Sequence, residues 1–139
     1  HWSERSNAPM SDQHLVAYVD DDPRLRSLMS EELIDEDVEP LICNTGQELL
    51  DLLDERQIDL IFLDLMMPVM DGMTCLRHLK HRNLNVPVLV VTAFNDESKR
   101  QESLESGATD YILKPDLFER LPELLDQYLL NRGKCAAQE

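Results

Sequence analysis

Short apolar runs alternate along this chain with longer stretches whose apolar residues recur at helical spacing. The apolar runs cover residues 15–19, 38–43, 58–63, 86–91 and 111–113. Between the first two runs, apolar side chains stand at positions 25, 28, 29 and 33, which is the spacing of an amphipathic helix. Near the C-terminus the same spacing recurs over residues 121–129. The pattern predicts a strand followed by a helix, repeated five times.

Signals for helix ends agree with this division. Asp22 and Pro23 form an N-cap followed by proline at the first helical position, and residues 45–48 have the T-x-x-E form of a capping box. Gly107 stands where a helix C-cap belongs. Pro122 conflicts with the pattern, because a proline inside a helix removes one hydrogen bond. The last helix is therefore predicted to start late or to bend at this proline.

Strands joined by helical crossovers form a parallel sheet with helices on both faces. Five such strands predict an α/β fold, a flavodoxin-like (βα)5 doubly wound sandwich whose parallel sheet has the order 2-1-3-4-5. In that order the ligand crevice lies at the carboxyl ends of strands 1 and 3. Polar residues at these strand ends are therefore candidates for one common site.

A chain of 139 residues, of which 42% are apolar, suits one folded domain. We predict that this domain covers residues 14–132. Residues 1–13 are expected to form an N-terminal tail, in which residues 1–9 precede Met10 and resemble a vector remnant. Residues 133–139 are expected to form a polar C-terminal tail.

Charge and cysteine content narrow the classes of function. The chain has 13 basic and 28 acidic residues, a net charge of −15, so it would repel nucleic acid and anionic lipid. Cys43, Cys75 and Cys135 form no C-x-x-C pair and are expected to be reduced thiols. The chain also lacks a long apolar run or the apolar core of a signal peptide. We therefore expect a cytoplasmic location, without direct binding to nucleic acid or membrane.

Acidic residues follow two strands that are neighbours in the predicted sheet. Asp20 and Asp21 follow the first apolar run, and Asp64 follows the third. Clustered carboxylates repel one another, so one of them has a raised pKa or the group binds a hard cation with oxygen ligands. Mg²⁺, or Mn²⁺, suits a site that keeps positions open for phosphate oxygens.

An open magnesium site beside a free carboxylate favours phosphoryl transfer. Thr92 follows the fourth run and Lys114 follows the fifth. The threonine hydroxyl can donate a hydrogen bond to a phosphoryl oxygen, and the lysine supplies a positive charge. Each residue alone is ordinary at a strand end, but chance would seldom produce the whole set.

Four motifs surround these residues: VDDDP at 19–23, LDLMMPVMDG at 63–72, VTA at 91–93 and GATDYILKP at 107–115. Together they resemble the receiver domain of the bacterial two-component response-regulator family, the CheY-like domain. The resemblance covers nearly all of residues 15–132, and the motifs occur in the family's order.

The resemblance implies roles for individual residues. Asp64 would be the phosphoacceptor, and Mg²⁺ would be held by Asp21, Asp64 and the backbone carbonyl of Met66, with Asp20 acting mainly through a metal-bound water. The phosphoryl group would be contacted by Lys114, Thr92 and Ala93. The peptide bond between Lys114 and Pro115 is expected to be cis.

The resemblance also implies a switch. Thr92 would move to the phosphoryl oxygen and Tyr111 would rotate inward, changing the surface of the fourth helix, fifth strand and fifth helix. Tyr111 has a second interpretation, as a half-buried strand aromatic packed on the fourth helix. Apolar residues at two positions beside the site, Met66 and Phe94, predict slow loss of the phosphoryl group.

The resemblance implies a sensor histidine kinase or a histidine phosphotransfer protein as phosphodonor. A downstream effector would bind the switch surface, and a second copy of the chain, in a phosphorylation-dependent homodimer, is a further candidate partner. Such a domain has no turnover substrate of its own. Two alternatives are a magnesium-dependent aspartyl-phosphate phosphohydrolase, whose D-x-D spacing occurs at Asp20 and Asp22 before an unfavourable Arg24, and a receiver-like scaffold that is not phosphorylated.

Overall fold

Five parallel strands form one sheet in the order β2-β1-β3-β4-β5, as the sequence predicts. The computed structural model describes residues 13–67, 69–130 and 132. The strands are β1 (Leu15–Val19), β2 (Glu39–Cys43), β3 (Leu60–Asp64), β4 (Val88–Thr92) and β5 (Asp110–Leu113). The helices are α1 (Pro23–Asp35), α2 (Gly46–Leu53), α3 (Gly72–His81), α4 (Glu97–Glu105) and α5 (Lys114–Tyr128).

Helices cover both faces of the sheet, and the pleat of each strand divides its side chains between two apolar layers. Ala17 and Val19 of β1 pack in the layer beneath α2, α3 and α4. Val16 and Tyr18 face the opposite layer, beneath α1 and α5. The central strands are buried on both sides, which explains their almost continuous apolar sequence.

Side-chain caps fix where the helices begin. Asp22 accepts a hydrogen bond from Arg24 N at the start of α1, with Pro23 in the first turn, and Thr45 accepts one from Glu48 N at the start of α2. Gly107 follows the end of α4 with a φ of 111°, a conformation that favours glycine. The three predicted helix boundaries are therefore confirmed.

Two predictions about prolines are wrong. The helix α5 begins at Lys114 and runs through Pro122, so the predicted late start is wrong. Among the described residues no peptide bond is cis, so the bond between Lys114 and Pro115 is trans and the expected cis bond is wrong. The physical reason is that Lys114 and Pro115 are the first two residues of α5, where the regular helical backbone requires a trans peptide bond and the missing N–H of proline costs no helical hydrogen bond.

The remaining expectations about chain composition are tested only in part. Cys43 and Cys75 are buried free thiols, and burial raises the pKa of Cys43 to about 12 and that of Cys75 to about 11. Cys135 and the predicted tails, apart from residue 13, lie outside the described residues. Within the described part of the chain, the helices are too short or too polar to cross a membrane.

Candidate functional site

The predicted site residues meet at the carboxyl edge of the sheet. Asp20 follows β1, Asp64 is the last residue of β3, Thr92 is the last residue of β4, and Lys114 follows β5. The parallel register sets Val19 of β1 beside Leu63 of β3, so the aspartates that come next along the two strands are neighbours. The topology therefore brings together residues that lie up to 94 positions apart in sequence (114 − 20).

Three carboxylates form the centre of the site. One oxygen from each of Asp20, Asp21 and Asp64 lies within 4.8 Å of the others. The side chains of Asp20 and Asp64 are buried, at 0% and 1% exposure, whereas Asp21 is exposed. Two sides of the cluster are thus enclosed by protein, and the third is open to solvent.

Lys114 lies between the two buried carboxylates. Its Nζ is 3.4 Å from Asp20 Oδ2 and 3.5 Å from Asp64 Oδ2. Burial, followed by the charge of Asp20, raises the pKa of Asp64 to about 7, and Lys114 opposes this rise. The ionised form of Asp64 is therefore disfavoured when no cation is bound.

This donor set fits a hard divalent cation. Three carboxylates exceed the positive charge that Lys114 can balance, and the charge of Asp20 adds to the effect of burial in raising the pKa of Asp64. Carboxylate oxygens are the ligands that Mg²⁺ prefers, and the exposed Asp21 leaves room for the waters that Mg²⁺ usually keeps.

The backbone after β3 wraps closely around Asp64. The N–H of Met66 donates to Asp64 Oδ1 at 3.2 Å, and the N–H of Gly72 donates to Leu65 O at 2.9 Å. A Cβ at position 72 would lie only 2.4 Å from Asp64 O, so this approach requires glycine. Met66 is 57% exposed.

The residues expected to form the switch are joined through one backbone segment. Thr92 is buried, and its Oγ1 accepts a hydrogen bond from Phe94 N at 3.3 Å. The hydroxyl of Tyr111, a half-buried residue, donates to Phe94 O at 3.0 Å. Ala93 and Phe94 are exposed, with 60% of Phe94 accessible. Movement of Thr92 or Tyr111 would therefore disturb the segment that holds both.

Two further residues support the site without having been predicted. Arg26 donates from Nη1 to Asp20 O and to Asn44 Oδ1, each at 2.9 Å, and so links the ends of β1 and β2. Tyr18 donates its hydroxyl to Asp20 Oδ2 at 2.6 Å. Strand periodicity places residues 18 and 20 on the same side of β1, which could have indicated Tyr18, whereas Arg26 carries no comparable sequence signal.

Comparison with known proteins agrees with this fold. Residues 16–126 match the response regulator receiver domain, and the chain belongs to this family. Its members are the receiver domains of two-component response regulators.

Several relatives show how far the similarity extends. The probable C4-dicarboxylate response regulator DctR of Bacillus subtilis (strain 168) is 34% identical over 127 residues, which are 89% of this chain and 56% of the relative. The transcriptional regulatory protein CpxR of Escherichia coli (strain K12) is 41% identical over 100 residues, covering 72% of this chain and 42% of CpxR. The chain thus spans about half the length of these relatives.

Solved structures share the fold over most of the chain. The Vibrio cholerae chemotaxis protein CheY4 has a TM-score of 0.79 at 29% identity, covering 84% of this chain and 99% of that one. The BeF3-activated N-terminal receiver domain of Klebsiella pneumoniae RstA has a TM-score of 0.79 at 30% identity, covering 85% of this chain and 100% of that one.

Proposed function

We propose that this receiver domain accepts a phosphoryl group on Asp64 and transmits its phosphorylation state to a partner. The observation that supports the proposal is a buried carboxylate at a strand end, with Lys114 at 3.5 Å and two more carboxylates close by. Asp64 would attack phosphorus in line, and the bond from phosphorus to a donor histidine nitrogen would break. The leaving nitrogen keeps the electron pair and takes a proton.

The residues of the site divide this task between them. Asp21, Asp64 and the carbonyl of Met66 would hold Mg²⁺ or Mn²⁺, with Asp20 acting through a water. When bound, the metal supplies positive charge for the phosphoryl oxygens. Lys114 would contact one phosphoryl oxygen, and Thr92 would donate a hydrogen bond to another, with Ala93 beside it. Asp64 must be deprotonated to attack, and the positive charge of a bound cation would favour that ionised form.

The backbone of Phe94, which is hydrogen-bonded to both Thr92 and Tyr111, suits a conformational switch. If Thr92 turned towards a phosphoryl oxygen, its hydrogen bond with Phe94 N would be lost, and the hydrogen bond between Phe94 O and Tyr111 would be weakened. The adjacent α4 is a polar helix in which Ser103 is the buried residue, so little apolar packing resists its movement. We propose that α4, β5 and α5 form the surface that changes.

Partners follow from this chemistry. The phosphodonor would be a sensor histidine kinase or a histidine phosphotransfer protein, and an effector would recognise the α4-β5-α5 surface. A phosphorylation-dependent homodimer through the same surface is a third arrangement. Because CpxR is described as a transcriptional regulatory protein and this chain covers 42% of it, an output domain joined to this receiver is also part of the proposal.

A small acyl phosphate with Mg²⁺ tests the central step. Intact mass should increase by one phosphoryl group in the wild-type chain, and Asp64→Asn should abolish the increase. Asp51→Asn is the matched control, because Asp51 is exposed on α2 and its Oδ1 accepts from Gln47, a role that asparagine retains. An unmodified wild-type chain, or equal labelling of the Asp64→Asn variant, would contradict the proposal. Continuous phosphate release from a phosphomonoester would instead support the phosphohydrolase alternative.

A further inference from the structure

Tyr18 is a polar-tipped residue in an otherwise apolar layer. It is the fourth of the five residues of β1, has no exposed surface and packs in the layer formed by α1 and α5. Phenylalanine would fill almost the same volume, so packing alone does not require a hydroxyl. A buried hydroxyl without a partner costs free energy, and here its partner is Asp20 Oδ2 at 2.6 Å.

The hydrogen bonds to Asp20 are divided between its two carboxylate oxygens. Oδ1 accepts from Asp22 N at 3.0 Å, and Oδ2 accepts from Tyr18 and is also 3.4 Å from Lys114 Nζ. Lys114 is almost equally far from Asp64 Oδ2, at 3.5 Å. The lysine is therefore shared between two carboxylates, and only Asp20 has a phenol hydroxyl on the oxygen that Lys114 approaches.

We propose that Tyr18 is a positioning residue for phosphoryl transfer, whose hydroxyl occupies Asp20 Oδ2 and so leaves Lys114 free to turn towards a phosphoryl group on Asp64. This inference rests on the proposed function of Asp64. When Lys114 turns to the phosphoryl oxygen, Asp20 keeps the hydrogen bonds from Tyr18 and from Asp22 N. No buried carboxylate oxygen then loses its only donor.

Removal of the Tyr18 hydroxyl should slow phosphorylation without weakening the binding of Mg²⁺. In Tyr18→Phe, Asp20 Oδ2 keeps only Lys114, so the lysine is held at Asp20 and phosphorylation slows. The affinity for Mg²⁺ should stay the same or increase, because Asp20 loses a donor that competes for its negative charge. General disorder of the site would instead slow phosphorylation and lower the Mg²⁺ affinity together.

The experiment measures both properties in three variants and the wild-type chain. Phosphorylation by a small acyl phosphate at saturating Mg²⁺ is followed by intact mass, and Mg²⁺ affinity by calorimetry without phosphodonor. Tyr18→Phe should phosphorylate roughly tenfold more slowly, which is the lower end of the effect expected for the loss of one hydrogen bond to a charged group. Its Mg²⁺ affinity should not fall.

Tyr18→Leu gives a second chain without the hydroxyl should the first fold poorly. Tyr128→Phe is the matched control, since the Tyr128 hydroxyl donates to Asp110 Oδ2 at 2.9 Å, at the other end of β5 from Lys114. This control should match the wild-type chain in both measurements.

The outcomes separate this inference from the proposed function. Unchanged phosphorylation in the Tyr18 variants, or a parallel loss of phosphorylation and Mg²⁺ affinity, overturns the positioning role while the function of Asp64 stands. If the wild-type chain binds Mg²⁺ but takes up no phosphoryl group, the proposed function is refuted, and the inference about Tyr18 with it.

Discussion

Replacement of Asp64 by asparagine should stabilise the metal-free protein at alkaline pH. Burial and the charge of Asp20 raise the pKa of Asp64 from 3.8 to about 7, so the folded state holds the ionised carboxylate at a cost. At about 1.4 kcal/mol per pKa unit, the shift in the pKa of Asp64 sets an upper bound of ~4 kcal/mol on this cost. Because Lys114 loses one of its two partners in Asp64→Asn, we expect a gain of about half that bound, ~2 kcal/mol.

The pH dependence gives the sharper measurement. From about pH 4 to about pH 7, the folded wild-type chain keeps a proton on Asp64, whereas the unfolded chain has released it. The stability of the wild-type chain therefore falls as pH rises across this range. The gain from Asp64→Asn should therefore be complete at pH 8.5 and small at pH 4. A gain of ~2 kcal/mol should raise the Tm by about 8 °C for a domain of this size.

Urea and thermal unfolding with a chelator present measure this difference. Asp51→Asn, at an exposed position, should change the free energy of unfolding by less than about 0.5 kcal/mol at either pH. Equal stability of Asp64→Asn and wild type at pH 8.5, or the same gain at both pH values, would refute the reasoning.

Three further predictions concern the loops around the site. Gly72→Ala should lower the free energy of unfolding by ~3 kcal/mol in urea titrations, because its Cβ would lie 2.4 Å from Asp64 O. Asp71→Ala should cost ~1 kcal/mol at pH 7, since Asp71 caps α3, and the cost should shrink in acid because the cap lowers the pKa of Asp71. Met66→Asn combined with Phe94→Glu should shorten the lifetime of phosphorylated Asp64 about tenfold in mass-spectrometric decay curves, equivalent to about 1.4 kcal/mol of barrier.

Each of these predictions has its control or contrary outcome. Gly46→Ala is the control for position 72, because a Cβ there meets side-chain atoms of Met70 and Cys75 at 3.0–3.2 Å, which can move, and it should cost less than Gly72→Ala. A cost of Asp71→Ala that stays constant down to pH 3 would contradict the capping explanation. A phosphoryl lifetime no longer in the native chain than in the double variant would contradict shielding by Met66 and Phe94.

Much of the fold could be predicted because it depends on local pattern and on few topological choices. Alternation of apolar runs and helical spacing gave the number and type of elements, and the handedness of crossovers limits how parallel strands are ordered. Boundaries moved by one or two residues where ladder hydrogen bonds extend past the apolar run, as at Asp64 and Thr92, which end β3 and β4. Pro122 was harder, because tertiary packing of α5 outweighs the hydrogen bond that the proline removes.

The sequence by itself determined which residues stand at the carboxyl ends of the strands, and therefore that Asp20, Asp64, Thr92 and Lys114 share one edge of the sheet. That conclusion needs only strand periodicity and parallel topology. The tertiary structure alone decided that Lys114 lies between two buried carboxylates and that Tyr18 shares an oxygen of Asp20 with it. Such contacts depend on differences of a few tenths of an ångström in the positions of side-chain atoms, which are set by packing and not by pattern.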